Sequence, residues 1–376
     1  MDKFMFSLSF VITHDLTLIK LCIFYFRNAA IQDIVHTLEV DLHRFYQNSN
    51  KTRHTIKVSR ILTASFLFFG WTTITNASVY GAFQDIWWKA EIAKLNDTAF
   101  KRPRTLPQPI YIPWNYQKDA SFIPTFALET IGLLWTGHIV MTIDTFIGSV
   151  ILHMSCQFVI LQEALTTAYD RTMKQMYEGA QRDITDEGNL ASQLETKYDP
   201  HKYEAMVKKH YTEKIIETAL ETTLRNCFRQ HQTLISCVEK FKQTYSYGFM
   251  TQLLSSMAAI CVVMVQVSRD ASSFKSIRLV TSLSFFVAMT IQLAIQCYSG
   301  NELTIEAGRV AEAVMNSKWE RMPVRIRRNL LVVLIRAQRP LRLSAGGFAN
   351  MDNACFLTIM KAAYSYYAVL SQKQMN

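Results

Sequence analysis

The 376-residue sequence predicts an all-α fold, a polytopic membrane helical bundle with long helical extensions outside the membrane. Its hydrophobic residues, 49% of the total, are gathered in blocks separated by polar stretches, and each block approaches the roughly 20 residues needed to cross a bilayer. The block Tyr247–Val267 carries no charge, whereas a soluble helix normally shows a polar face within two turns. A large soluble helical protein remains the alternative, because Lys20, Asp144 and Lys361 interrupt other blocks.

Six blocks predict six visible membrane spans, at about residues 4–26, 61–83, 126–160, 246–268, 279–298 and 353–371. The polar segment before the fourth block is helical in pattern, since Ile216, Leu220 and Leu224 recur at helical spacing. It is too charged for lipid and predicts helices that extend the spans into the cytoplasm. We therefore divide the chain into membrane helices with an extracellular loop at 84–125 (1–160), cytoplasmic extensions (161–245), two membrane helices (246–298), cytoplasmic anchor helices (299–343) and a final helix with an extracellular C-terminus (344–376).

The distribution of basic residues predicts the orientation. Residues 27–60 carry six Lys and Arg against three acidic residues, and residues 299–352 carry nine against five. Under the positive-inside rule both segments are cytoplasmic. The loop 84–125, with six against four, is then extracellular by alternation along the chain.

This orientation has two consequences. It exposes the sequon Asn96-Asp97-Thr98 on the outside, where Asn96 could be glycosylated. It also makes the first block run from outside to inside, so we expect a preceding helix that this sequence lacks.

The sequence contains none of four common catalytic, metal-binding or phosphate-binding motifs. It contains no phosphate-binding P-loop, no H-E-x-x-H, no C-x-x-C and no G-x-S-x-G. We therefore predict no enzyme activity, no catalytic residues, no cofactor and no metal site. Seven cysteines give no readable disulfide framework. The net charge of +10 fits basic cytoplasmic loops, and without a recognition module it predicts no nucleic-acid partner.

A G-protein-coupled receptor is a rival interpretation. The stretch "AYDRTMK" around Asp170 and Arg171 is similar to its D-R-Y switch, although a surface pair on a charged helix explains these residues equally well. The rival also requires an N-P-x-x-Y near the last helix, which is absent. Its last span ends inside, whereas the final span here is predicted to run from inside to outside.

The last apolar block has a polar stripe. Placed on a helix, Ala354, Thr358, Lys361, Ser365, Ala368 and Gln372 fall within an arc of about 80°. In lipid such a stripe must face protein or water, because a charge near mid-bilayer costs roughly 2.5–3.5 kcal/mol. The stripe, with Lys361 and Ser365 at its centre, predicts either helix packing through small residues or one wall of a water-filled path between subunits.

The carboxyl-terminal third resembles insect odorant receptors. The resemblance rests on a glycine-polar break after the penultimate span, the lone Trp319, and the elements "RAQRP", "AGGF" and "SYY". The stretch "LPQPIYIPWNYQKDASFIPTF" is similar to that family's outer loop. The ending, Ser365-Tyr366 followed after five residues by Gln372, is also similar to gustatory receptors. A gustatory-type homomeric ligand-gated channel is therefore the alternative function.

The resemblance implies a seven-helix subunit whose amino terminus is cytoplasmic in the complete protein, in the plasma membrane of olfactory sensory neurons. It implies a heterotetramer with an odorant co-receptor, surrounded by membrane lipid, in which a small volatile ligand gates a non-selective cation channel. Residues 301–340 would be the cytoplasmic anchor and 351–373 the pore helix. Only six of the seven helices are visible, and the family's first helix is the one expected to be missing.

The resemblance also implies where function resides. It places the gate at Val369, the adjacent polar ring at Gln372, and Lys373 where the co-receptor has an apolar gate residue. It places the odorant pocket in the outer half of the bundle, where hydroxyls among apolar walls suit volatile ligands. Ordinary interhelical packing is the alternative role for each predicted pocket residue. These residues are Phe10, Thr72, Thr75, Tyr80, Leu133, Phe285 and Phe286.

Overall fold

Long helices dominate the chain, as the sequence predicts. The computed structural model describes residues 2–42, 50–95, 106–108, 111–187, 200–272 and 276–375. Each of the six predicted apolar blocks lies within one long helix. These helices are α1 (Asp2–Phe26), α3 (Asn50–Leu95), α4 (Asp119–Thr166), α7 (Glu213–Ser272), α8 (Ser276–Met315) and α10 (Asn353–Met375).

Shorter elements connect the long helices. Helix α2 follows α1 directly and continues into a short π-helical segment, while a 3-10 turn separates α8 from α9. Two residue pairs form a small antiparallel hairpin just before α10. The bounds are α2 (Asn28–His36), the π segment (Thr37–Asp41), α5 (Ala168–Glu187), α6 (Pro200–His210), the 3-10 turn (Trp319–Arg321), α9 (Val324–Ala337), β1 (Ser344–Ala345) and β2 (Ala349–Asn350).

The long helices exceed the thickness of a membrane. Helix α7 has 60 residues, which at the helical rise corresponds to about 90 Å, against a hydrocarbon core of roughly 30 Å. Its first half carries the charged, periodic sequence and its second half the uncharged block Tyr247–Val267. The predicted helical extension is thus a direct continuation of a membrane helix.

Three of the described helices are long and apolar enough to cross a membrane by length and composition. They are Ala120–Thr166, Glu213–Ser268 and Leu279–Met315. The apolar blocks in α1, α3 and α10 are shorter or more polar, so the count of six spans stays a prediction. The division of the chain into five regions also stays a prediction.

Helix α8 lies at the centre of the bundle. It packs against α3, α4 and α7 along its length, and against α9 and α10 nearer its end. Helix α1 packs mainly on α7, and α10 packs on α7 and α8. Helix α8 therefore contacts both the α3–α4 side of the bundle and the last helix.

Two hydrophobic clusters lie between these helices. The larger, which we call the main core, includes the fully buried Phe158, Leu161 and Leu234 and extends from α2 to α10. The smaller, which we call the cavity cluster, lies between α3, α4 and α8. Its members are Phe66, Ile74, Ala77, Leu133, Met141 and Ile295.

The turn into α10 depends on glycine. Gly346 and Gly347 have φ of +59° and +81°, a region that costs other residues roughly 1–2 kcal/mol. The Gly346 amide donates to the backbone oxygen of Ser246 at 3.0 Å, which fixes the turn to α7. The stretch "SAGGF" therefore forms an ordered hairpin held against the middle of a long helix.

The glycine-polar segment after the penultimate apolar block does not interrupt α8. The helix continues through Gly300 to Met315. A side chain at Gly300 would collide with the Met351 backbone oxygen. The glycine therefore permits close approach of the chain that enters α10, rather than a break.

Candidate functional site

A cavity of about 90 Å³ lies between α1, α3, α4 and α8. The cavity cluster forms much of its wall, and the phenyl ring of Phe285 and the side chain of Met289 close it from α8. Thr13 and His14 of α1 lie on its opposite side. The cavity is smaller than an engineered cavity of about 150 Å³ that holds benzene.

The hydroxyls of the cavity wall already have partners. Thr73 donates to the Phe69 carbonyl at 2.8 Å and lies 3.2 Å from the Ser284 hydroxyl. Thr136 donates to the Gly132 carbonyl at 2.8 Å. Because these donors are used within their own helices, the hydroxyls offer a ligand mainly their remaining acceptor positions. The wall therefore favours an apolar molecule with few polar groups.

A buried ion pair lies beside the cavity. Lys20 Nζ of α1 is 2.5 Å from Asp144 Oδ1 of α4, and both side chains are at most 4% exposed. Gln292, which lines the cavity, donates to the other carboxylate oxygen of Asp144. Gln296 adds a hydrogen bond of 3.1 Å to Asp144 Oδ1. Buried charges are tolerated only when paired and hydrogen-bonded in this way.

Two glycines set the width of the cavity between α3 and α4. A methyl group at Gly137 would lie 2.5 Å from Ile74 Cδ1, and one at Gly70 would collide with Met141 Sδ. The two helices therefore approach closely, with flexible Met141 filling the gap. Displacement of that side chain is the cheapest way to enlarge the cavity.

Two of the seven predicted pocket residues, Leu133 and Phe285, line this cavity. Thr72 and Thr75 lie on α3 outside the cavity and donate to their own helix, to Phe68 and Trp71. As ligand contacts, these residues stay predictions.

The other three predicted pocket residues lie elsewhere or are only partly described. Tyr80 is half-buried on α3 and does not line the cavity. Phe286 packs against the main core from α8. Phe10 lies in α1, and its side chain falls outside the described part of the structure. These three also stay predictions.

Sequence reasoning missed the polar side of the site. Lys20 and Asp144 interrupt two separate apolar blocks, which by itself favours a soluble protein. Opposite charges within membrane segments usually pair with each other, and this rule could have predicted their contact. The partners Gln292 and Gln296 have helical spacing on α8. No sequence signal identified Gly70 or Gly137 as cavity residues.

The centre of the polar stripe of α10 faces away from the rest of the chain. Lys361 and Ser365 are exposed, while Ile359 and Ala363 on the opposite side are buried against the bundle. Ser365 donates to the Lys361 carbonyl at 2.9 Å. Lys361 and Ser365 therefore lie on the side of α10 that is turned away from the buried Ile359 and Ala363.

The residues predicted for the gate are at the end of the same helix. Val369 is 64% exposed. Gln372 and Lys373 lie in α10, but their side chains fall outside the described part of the structure. Asn96, the predicted glycosylation site, also lies outside the described residues. Their roles stay predictions.

The "AYDRTMK" stretch has a structural role. The Lys318 ammonium lies 2.6 and 2.7 Å from the two carboxylate oxygens of Asp170, where it joins α5 to the turn after α8. Arg171 donates to the Ala164 carbonyl at 3.1 Å, across the junction of α4 and α5. These contacts explain the Asp-Arg pair without a switch.

A second polar cluster joins the short helices. Glu204 of α6 accepts hydrogen bonds from Tyr169 at 2.9 Å, Lys208 at 2.7 Å and Arg321 at 3.0 Å. Burial raises the pKa of the Glu204 carboxyl, but these donors and their charges outweigh it and leave the pKa below its ordinary value. Burial and the bond to Glu204 raise the pKa of the Tyr169 hydroxyl.

Nothing in the described residues suggests metal chemistry. No group of three or more His, Cys, Asp or Glu side chains there could hold a metal ion. The cysteines at positions 22, 156, 227, 237, 261, 297 and 355 are free thiols.

Comparison with known proteins identifies the family. The model of the family described as 7tm Odorant receptor matches residues 1–364. The chain belongs to this odorant receptor family. It is a membrane protein of an all-helical class, and the family is one of receptors rather than enzymes.

Curated relatives agree with this assignment. The chain is 24% identical to Odorant receptor Or1 of Anopheles gambiae over 73% of its own length and 62% of the relative. It is 26% identical to Odorant receptor 33a of Drosophila melanogaster over 38% of its length and 37% of the relative. The chain thus matches between about a third and two thirds of the length of these relatives.

Solved structures show the same fold. The insect olfactory receptor OR5 from Machilis hrabei in complex with eugenol superposes with a TM-score of 0.71, covering 99% of this chain and 82% of the receptor chain. The structure of the same receptor without a named ligand gives a TM-score of 0.63. At 11% and 12% identity, these likenesses establish the fold alone.

Proposed function

We propose that this odorant receptor binds a small, volatile, predominantly apolar molecule in the cavity between α1, α3, α4 and α8, and gates a non-selective cation channel with a co-receptor subunit. The observation that supports this proposal most directly is the cavity itself. Its accessible surface is almost entirely apolar, the Thr73 and Thr136 hydroxyls donate within their own helices, and four helices form its walls. A ligand in such a cavity gains binding energy mainly from the apolar surface that it buries and from the match of its shape to the walls.

The cavity must widen to accept most odorants. At about 90 Å³ it is smaller than a cavity that holds benzene. A ligand therefore displaces Met141 or Met289, or separates α3 from α4 at Gly70 and Gly137. A ligand shifts the channel equilibrium only by as much as it binds the open state better. In this proposal, binding is coupled to a change of helix position because the ligand fits only when the cavity has widened.

Helix α8 provides the path to the last helix. It contributes Phe285, Met289 and Gln292 to the cavity, and it packs on α10 further along. The exposed stripe with Lys361 and Ser365 supports a subunit whose last helix faces other subunits and a shared pore. In this proposal, displacement of α8 and α10 moves Val369 away from the pore axis.

The deciding experiment is an electrophysiological recording of odour-evoked currents. The receptor is expressed with and without an odorant co-receptor, and currents are measured during application of a panel of volatile compounds. An odour-evoked cation current that requires the co-receptor is the expected result. Current from this subunit alone would favour a gustatory-type homomeric channel. A signal that depends on G proteins and survives without the co-receptor would contradict the proposal.

A second experiment tests the pore side of α10. If the stripe faces the conduction path, Lys361→Gln removes a positive charge that repels cations and raises single-channel conductance. The matched control is Arg328→Gln, which removes an exposed positive charge from α9. Equal effects of both substitutions, or no effect of either, would place Lys361 away from the pore.

A further inference from the structure

One amide belongs to the wall of the cavity between α1, α3, α4 and α8, which we call the odorant cavity. It is the side chain of Gln292, on α8. The residue is 2% exposed, so the direction of its amide is set by the protein around it. The polar residues that share this wall with Gln292 are Thr13, His14, Thr73 and Thr136.

Asp144 fixes the orientation of the Gln292 amide. The Asp144 carboxylate is paired with the Lys20 ammonium, and an ionised carboxylate only accepts hydrogen bonds. The amide nitrogen of Gln292 must therefore be the atom that faces Asp144, to which it donates. The carbonyl oxygen of the same amide, Oε1, then points to the other side.

Gln292 Oε1 is available to a ligand. It has no hydrogen bond with a described residue, and protein atoms do not enclose it fully, whereas they do enclose Oε1 of Gln296. Because Gln292 borders the odorant cavity, this oxygen faces that space. The cavity thus presents a hydrogen-bond acceptor whose direction is held by a buried ion pair.

The threonines of the wall add acceptors rather than donors. The hydroxyls of Thr73 and Thr136 each donate to the carbonyl four residues earlier in their own helices. Thr13 and His14, on the α1 side, each have a polar or ring interaction of their own. A ligand therefore meets acceptors in this wall, and among them Gln292 Oε1 is the one with no described partner.

We propose that the odorant cavity selects volatile alcohols, molecules with one hydroxyl on an apolar body, and that the hydroxyl donates its hydrogen to Gln292 Oε1. This inference rests on the proposed function of the cavity as the odorant site. The apolar body lies against the cavity cluster, and the hydroxyl is directed toward α8. In surroundings of low polarity such a hydrogen bond is stronger than in water.

Other volatile classes fit this wall less well. Aldehydes, ketones and esters carry acceptors only, so their oxygen would lie among acceptors without a donor. A primary amine has donors but is protonated at neutral pH, and burying its charge without a partner is costly. The carboxylate beside the cavity, Asp144, is already paired with Lys20.

The test measures binding to the full chain, purified in detergent. Its ligands are straight-chain alcohols from butanol to heptanol, each compared with the aldehyde of the same chain length. Dissociation constants are obtained from the rise of the thermal unfolding midpoint with ligand concentration. We expect the constant of the best alcohol to be about tenfold lower than that of its aldehyde, the factor that one net hydrogen bond produces.

Two substitutions on α8 separate the cavity oxygen from the ion pair. Gln292→Met keeps the length of the side chain and removes Oε1, so the ratio of the two dissociation constants should fall close to one. Gln296→Met is the matched control. Gln296 lies one turn further along α8 and also donates to Asp144, at 3.1 Å, but it does not line the odorant cavity. In Gln296→Met the preference for the alcohol should persist.

Equal affinity of the parent protein for alcohols and aldehydes would overturn the inference, and this comparison requires no variant to fold. An equal loss of the preference in Gln292→Met and Gln296→Met would also overturn it, because the effect would then come from Asp144.

The same ligands are also applied to cells that express the receptor with a co-receptor. Alcohol-selective binding without any current would contradict the proposed gating and support this inference. Currents evoked equally by alcohols and aldehydes would overturn this inference and support the proposed function.

Discussion

The main core and the cavity cluster are both apolar, but they are packed differently. Phe158, Leu161 and Leu234 of the main core have no measurable exposure, whereas Phe66 and Leu133 of the cavity cluster are 4% and 7% exposed. Five of the six residues of the cavity cluster line the cavity between α1, α3, α4 and α8, whereas these three main-core side chains do not. Close packing resists deformation, while a cavity lined by flexible side chains can yield. In our proposal, the main core therefore provides stability and the cavity cluster contacts the ligand.

The ion pair between Lys20 and Asp144 lies where the two regions meet, and breaking it has the largest expected effect. Asp144→Leu leaves a buried ammonium without its partner, which costs about 3–5 kcal/mol. We expect a large fall in the thermal unfolding midpoint of the purified protein. The double substitution Lys20→Met with Asp144→Leu should recover most of it. If the double variant is no more stable than Asp144→Leu alone, the unpaired ammonium is not the cause of the destabilisation.

Matched leucine truncations compare the two regions directly. Leu161→Ala in the main core removes a fully buried side chain from close-packed surroundings, and should cost about 3–5 kcal/mol of unfolding free energy. Leu133→Ala extends a cavity that already exists. Its cost in unfolding free energy should therefore approach the loss of the buried apolar surface alone, roughly 2 kcal/mol. Only Leu133→Ala should shift the response toward bulkier odorants. A shift of ligand preference in Leu161→Ala would contradict the division of roles.

Two glycines of α4 allow the effect of one added methyl group to be compared inside and outside the cavity wall. Gly137→Ala inserts a Cβ 2.5 Å from Ile74 Cδ1, and such overpacking costs about 1–3 kcal/mol. It should also narrow the cavity and weaken the odour response. Gly132→Ala, five residues earlier, meets no atom within 4 Å. It should leave the response unchanged and add up to about 1 kcal/mol through helix propensity.

The cluster around Glu204 has the smallest expected effect. Because the pKa of Glu204 is lowered in the folded protein, its ionised form stabilises the fold above the ordinary carboxyl pKa, and this contribution is lost as pH falls through the folded value. Glu204→Gln should therefore cost up to about 1 kcal/mol at neutral pH, and the difference from the parent should shrink in acid. Glu178→Gln, whose partner Lys174 lies 3.9 Å away on an exposed face, should show no measurable change at either pH.

The helices of this protein could be predicted from sequence because they depend on local patterns. The block Tyr247–Val267 has no charge, and the periodic residues from Ile216 to Leu224 continue its helix. The turn before α10 was recognisable because "SAGGF" contains two glycines. The cavity was predicted only in part, since Leu133 and Phe285 line it while Thr72 and Thr75 lie outside it. Which face of a membrane helix meets its neighbour is not encoded in its hydrophobicity, because lipid and protein interior are both apolar.

By itself, the sequence determined the helical membrane class and the family, because runs of apolar residues and short motifs are local properties of the chain. Only the tertiary structure decided which residues meet across it. It paired Lys20 with Asp144, positions 124 residues apart, placed Gly300 against Met351, and brought Gly70 and Gly137 close to side chains of the facing helix. Those contacts depend on how helices cross and how closely they approach. The physical reason is that crossing is decided by the shapes of side chains on several helices at once.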